Sequence, residues 1–123
     1  MQVLAEKLGK GDEARRPTGW IVRLVDRQAA VGWSELLAQV PENLDRAWVA
    51  ITAAPRSRDD LSRQHRLKFD LKTVKVDSAE LEQWQYEVSG GGRIWYAIDD
   101  DRKTLWITQA GTGHPKHTDK RRR

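Results

Sequence analysis

The stretch GTGHPKHTDK, residues 111–120, holds His114, Lys116 and His117 around Pro115. An imidazole titrates near neutrality and can give or take a proton. An ammonium or guanidinium group can hold an anion such as phosphate. Pro115 stiffens the backbone between His114 and Lys116, which favours a presented group over a frayed end. His114 and His117 with Asp119 would also offer three metal ligands, without a further clustered one. The residues alone leave three readings: a solvated basic end, a metal clip, or one wall of an acid–base site.

A second set lies upstream. Arg93 follows Gly90-Gly91-Gly92, where a backbone or a substrate can approach closely. The alternative is an exposed arginine at a hairpin. In HRLKFDLKTVKV, Leu67, Phe69 and Leu71 alternate with Lys68, Asp70 and Lys72, the pattern of one strand with a wet face. His65, Arg66, Lys68 and Lys72 on that strand could line a phosphate groove or simply keep an open sheet face soluble. Gln83, Gln85 and Glu87 alternate with Trp84, Tyr86 and Val88, so the first three are expected outward. Glu87 is a candidate general base or a solvated carboxylate. Trp84, Trp95 and Trp106 fall on three successive strands. Trp84 and Trp106 are expected in the core. Trp95, between Ile94 and Tyr96, is expected outward, where an indole can stack on a base.

These side chains need a scaffold, and the composition supplies one. The chain has 123 residues, the size of one domain, and its 38% apolar content is enough for one core. The net charge of +4 permits a polyanionic partner without requiring one. Up to Gln64 there are 10 Lys/Arg against 9 Asp/Glu, and afterwards 12 against 9, so the excess lies in the C-terminal half. The absence of cysteine excludes disulfides and thiolate chemistry and fits a cytoplasmic protein. No apolar run is long enough to span a membrane.

The elements follow from periodicity. Trp20 to Val25 forms a β-branched strand, expected to be buried on both faces. AAVGWSELLAQV has Trp33, Leu36, Leu37 and Val40 at helical spacing. Pro41 opens a second helix whose stripe is Leu44, Ala47, Trp48 and Ile51. Strands then alternate with the glycine turn and an Asp99-Asp100-Asp101 turn. The order β-α-α-β-β-β-β predicts an α+β fold: an N-terminal strand and a helical hairpin on a mostly antiparallel four- to five-stranded sheet. Residues 1–17 are expected to be a flexible arm, 18–119 the single domain, and 120–123 a basic tail.

From Tyr86 to Ile107, YEVSGGGRIWYAIDDDRKTLWI resembles the paired central strands of the RelE/ParE superfamily of bacterial toxins, with Arg93-Ile94-Trp95-Tyr96 as the core motif. HRLK, at His65–Lys68, is similar to the strand that opens the family sheet, and the resemblance runs from Trp20 to Asp119. It implies the toxin of a type II toxin–antitoxin system. It also implies a metal-independent endoribonuclease needing no cofactor, acting on mRNA that is free or ribosome-bound, and forming a hetero-oligomer with its antitoxin. Arg93 matches the arginine at the scissile phosphate. His114, Lys116 and His117 fall where members carry their last catalytic side chains. The ParE branch implies a gyrase inhibitor instead, and a non-toxic nucleic-acid-binding protein is a third possibility. Gln85 and Glu87 stand where some members have lysines.

Overall fold

The computed structural model describes residues 7–14 and 16–112. No helix or strand occurs among the described residues before Ile21. Strand β1 (Ile21–Leu24) leads to helices α1 (Arg27–Gln39) and α2 (Pro41–Ala53). Then come β2 (Gln64–Arg66), a 3-10 turn (Phe69–Lys72), β3 (Thr73–Val76), β4 (Ala79–Glu87), β5 (Arg93–Asp99) and β6 (Thr104–Gly111). No helix among the described residues is long and apolar enough to cross a membrane.

Both helices start where the chemistry directs. The Asp26 carboxylate accepts from the Ala29 amide at 2.8 Å, which caps α1. Pro41 needs no amide partner and opens α2 directly after the Val40 cap. The helices cover one face of a sheet ordered β1-β6-β5-β4-β2, with β3 on a further stretch of β4. Pairing is antiparallel throughout except between β1 and β6. The α+β architecture therefore stands, as a mixed six-stranded sheet.

Three details differ from expectation. First, β1 is an edge strand: Ile21 and Leu24 are 42% and 40% exposed, so it is not buried on both faces. Second, the helical contact stripes are narrower than the apolar periodicity. Helix α1 buries Ala29, Gly32 and Leu36, while Leu37 is 54% and Trp48 of α2 is 40% exposed. A helix that meets a sheet through small residues lies close, and side chains one position round the helix miss the contact. Third, the strand expected across His65–Val76 is broken. Leu67 still donates to the Gln83 carbonyl at 2.9 Å, yet Thr73 pairs with Glu82. Residues 68–72 are thus left over and fold into the 3-10 turn. The apolar phase shifts only at Lys72-Thr73, from Leu67, Phe69 and Leu71 to Val74 and Val76, so the alternation up to Leu71 gives no sign that the strand has already ended.

The core joins the helices to β4, β5 and β6 through residues including Leu36, Ile51, Ile94, Tyr96, Ile98, Leu105 and Ile107. Its polar members are satisfied locally. The Tyr96 hydroxyl donates to the Pro55 carbonyl at 2.6 Å and accepts from Gln64 Nε2 at 2.9 Å. Gln64 also donates to the Ala54 carbonyl at 3.0 Å. Burial pushes the Tyr96 phenol well above the usual tyrosine range, so it remains a neutral donor. This network ties the end of α2 to β2 and β5.

Two stability predictions follow from these contacts. A Cβ at Gly32 would overlap the Ala110 carbonyl. Gly32→Ala gains about 1 kcal/mol of helix propensity but forces backbone apart at a cost of about 1–3 kcal/mol or more. Net destabilisation, measured by denaturant titration, is the expected outcome. Tyr96→Phe leaves the Pro55 carbonyl only the 3.4 Å bond from Gln64 Nε2 and removes that amide's hydroxyl partner, and should cost about 1 kcal/mol in the same assay.

Candidate functional site

With the helices on one face, the pairing register sets what stands on the other. One row across the sheet is His65, Gln85, Trp95 and Gln109. The neighbouring row, towards the glycine run, is Glu87, Arg93 and Gly111. The row on the opposite side is Gln83, Ala97, Trp106 and Arg23. Polar, aromatic and cationic groups thus share one uncovered surface.

The central row is a hydrogen-bonded chain. His65 Nδ1 lies 3.0 Å from the Arg66 carbonyl, which can only accept, so Nδ1 carries the hydrogen. His65 Nε2 lies 3.5 Å from Gln85 Nε2, and Gln85 Oε1 accepts from the Trp95 indole at 2.8 Å. Trp95 is therefore on the open face, as expected, but half-buried and fixed. Gln83 departs from expectation: it faces this side yet is 3% exposed. Its amide donates to the Leu71 carbonyl at 2.8 Å, and its oxygen accepts from the Thr108 hydroxyl. Thr108 is the extra residue of a bulge, since Trp95 pairs with Gln109 and Tyr96 with Ile107. The small Ala97 lies between Gln83 and Thr108 and leaves room for them to meet.

Trp106 also belongs here. It was expected in the core, but Leu105 and Ile107 on either side are both fully buried and force it to the opposite face. Its indole donates to Asp99 Oδ2 at 3.3 Å. Trp84 is in the core, at 5% exposure.

Arg93 opens β5, exposed, directly opposite Glu87 on one side and Gly111 on the other. Among the described residues neither Arg93 nor Glu87 takes part in an ion pair. The glycines before Arg93 provide space, since none has a positive φ. A Cβ on Gly92 would sit 2.9 Å from Leu36 Cδ2, and one on Gly91 2.9 Å from the Thr112 carbonyl. The segment with His114, Lys116, His117 and Asp119 lies outside the described residues.

The predicted cationic strand face is not a single face. Arg66 turns its guanidinium onto the Lys72 carbonyl, with Nη2 at 3.2 Å, and so fastens the 3-10 turn. Lys68 precedes that turn, Lys72 is its last residue, and both are exposed. Sequence reasoning gave Arg56 no role. It binds Glu82 at 2.9 Å and Asp100 at 2.8 Å, and holds the Asp100 carboxyl below the usual carboxylate range. This ion cluster sits at the other end of β4 and β5, away from Arg93.

Neither a protein-family model nor a curated protein matches the chain in sequence. Solved structures do match in fold. The isolated E. coli RelE toxin superposes with a TM-score of 0.55 at 17% identity, covering 85% of this chain and 99% of that one. A double-arginine variant of E. coli RelE bound to a peptide of the antitoxin RelB gives 0.52 at 15% identity, over 86% and 96% of the two chains. A conserved hypothetical protein from Helicobacter pylori gives 0.50 at 15%, over 75% and 92%. At these identities it is the fold that is shared, and the chain has the RelE-like fold that Tyr86–Ile107 resembles.

Proposed function

We propose that this protein is the toxin of a toxin–antitoxin pair and cleaves mRNA in the cytoplasm without a metal. The observation that carries the reading is the open sheet face. It brings Arg93, Glu87 and the end of β6 to one corner, beside a fixed His65–Gln85–Trp95 row. Chain connectivity keeps the His114 Cα within about 11 Å of the Gly111 Cα, the partner of Arg93.

Cleavage of RNA by its own 2′-hydroxyl needs a base, stabilisation of charge on the phosphorus, and help for the leaving 5′-oxygen. Arg93 suits the phosphate, because a guanidinium can bind two oxygens at once. Glu87, directly opposite, can accept the 2′-proton. One of His114 and His117 protonates the leaving oxygen or shares the base role, and Lys116 adds charge stabilisation. The polar centre of the face suits RNA lying across it, with Trp95 offering an edge or a face to a base.

The antitoxin has a surface of its own on this reading. A groove on the outer side of the helical hairpin is lined by Trp33, Leu37, Pro41, Leu44, Asp45 and Trp48. Contiguous exposed apolar groups of this kind mark partner sites, and this one faces away from the proposed catalytic surface.

Induced expression separates the possibilities. The wild type should arrest growth with mRNA cut. Arg93→Ala should lower cleavage by about 10²–10³-fold, the usual cost of one charge-stabilising donor. A His114→Ala/His117→Ala variant should also fail to arrest growth. Arrest with intact RNA and a DNA-damage response would instead assign a gyrase inhibitor, and no arrest a non-toxic binder. Leu37→Asp should leave toxicity intact while the cognate antitoxin no longer neutralises it, read by co-expression.

A further inference from the structure

Phe69 is held in a conformation that ordinary packing does not explain. It is 85% exposed, more than any other large apolar side chain described, and its φ is 56°. A bulky side chain at positive φ is an outlier that persists only when its surroundings enforce it. Here they do. Arg66 holds the Lys72 carbonyl, Gln83 holds the Leu71 carbonyl, and the Leu71 amide bonds back to the Lys68 carbonyl at 3.0 Å. The turn is therefore clamped at three points with its phenyl ring in water.

Gln83 faces the open side of the sheet, so its bond to Leu71 seats the turn beside that face, next to the row of His65, Gln85 and Trp95. The segment itself is mostly cationic, with carboxylates only beside its β3 end, where Thr73 donates to Glu80 at 3.0 Å and pairs with Glu82. From Arg63 to Lys75 the chain carries Arg63, Arg66, Lys68, Lys72 and Lys75 against the single carboxylate of Asp70. Apart from Leu71, at 44% exposure, Phe69 has no exposed large apolar neighbour within its turn. An exposed ring amid cations suits an unpaired nucleobase better than an apolar peptide.

We propose that Phe69 is a stacking platform for one base of single-stranded RNA, with Lys68 and Lys72 on the adjoining phosphates. This gives the RNA-cleaving reading a contact that selects where the strand lies on the sheet, and it rests on that reading only for the chemistry, not for the binding.

The test uses the full chain and a single-stranded RNA whose 2′-O-methyl riboses cannot be cleaved, with 2-aminopurine as the reporting base. Phe69→Ala and Phe69→Gly should weaken binding about tenfold, the usual scale for one lost base stack. Phe69→Trp should restore it, and only the wild type and the Trp variant should quench the reporter. Glycine accepts the positive φ, so Phe69→Gly should melt no lower than the wild type. Ala-variant affinity within twofold of wild type overturns the proposal. So does a failure of the wild type to bind this RNA, or a lowered Tm in Phe69→Gly, which would make the ring a packing group. Loss of antitoxin binding with RNA binding unchanged would also overturn it, assigning the ring to a protein. Cleavage of unmodified RNA is scored separately. Phe69-dependent binding without cleavage removes the nuclease reading alone. Cleavage with Phe69-independent binding removes this proposal alone.

Discussion

The approach of α1 to β6 at Gly32 is the constraint from which the rest follows. Without a side chain at Gly32, the helix backbone meets the Ala110 carbonyl directly. Ala110 pairs with Ile94, and the next pair along is Gly111 with Arg93. One turn further along α1, Leu36 lies against Gly92, immediately before Arg93. The corner that holds Glu87, Arg93 and Gly111 is therefore supported from beneath by α1, with Asn43 of α2 adding a bond to the Val88 carbonyl at 3.2 Å. Because that support comes from the helical side, nothing needs to pack on the other side, and the charged groups there can remain uncovered.

The uncovered face is stiffened by neutral hydrogen bonds rather than by ion pairs. Gln83 links the turn after β2 to the bulge of β6 across Ala97. Gln85 links β2 to β5 through His65 and Trp95. A glutamine amide offers a donor and an acceptor at once, so each serves as a bridge. Such bridges fix indole and imidazole orientations without adding charge at the centre of the surface. Among the described residues the ion pairs lie away from the centre of that face: Arg56 with Glu82 and Asp100, Arg102 with Asp77 and, beside Trp106 at the end of β5, with Asp99, and Arg63 with Asp60.

Much of the fold was legible in the sequence because it depends on local signals. Pro41 marked the start of α2, the alternation in Tyr86–Ile107 marked β4 to β6, and the triple glycine marked the turn before Arg93. What was not legible depends on register. Phe69 fits the alternation of Leu67 and Leu71 but sits beyond the end of a strand: the five extra residues against β4 (68–72) flip the apolar phase only at Lys72-Thr73, which marks where pairing resumes and not where it stops. Trp106 was misassigned because β6 is buried on one face only, and apolar type alone does not say which. Gln83 reads as a solvated outward residue, and Gln85 with Glu87 as a departure from a lysine pattern. Their value as bridges depends on the neighbours that the sheet brings beside them.

The same two glutamines bear on how charge is distributed. Lysines at the centre of the face would attract phosphate there. With Gln85 and Glu87 instead, the cations concentrate at the margins: Arg93 at one corner, and Lys68 and Lys72 by the turn after β2. Glu87 lies between Arg63, whose guanidinium donates to the Glu87 carbonyl at 3.1 Å, and Arg93 across the pair. For an RNA strand on this surface, phosphate attraction would act from the edges and fall with salt. The indoles and amides between would meet bases, which carry the sequence information. Affinity and selectivity would then reside in different parts of the face, with Arg63 and Arg93 on either side of Glu87 as the described cations available to a phosphate at that corner.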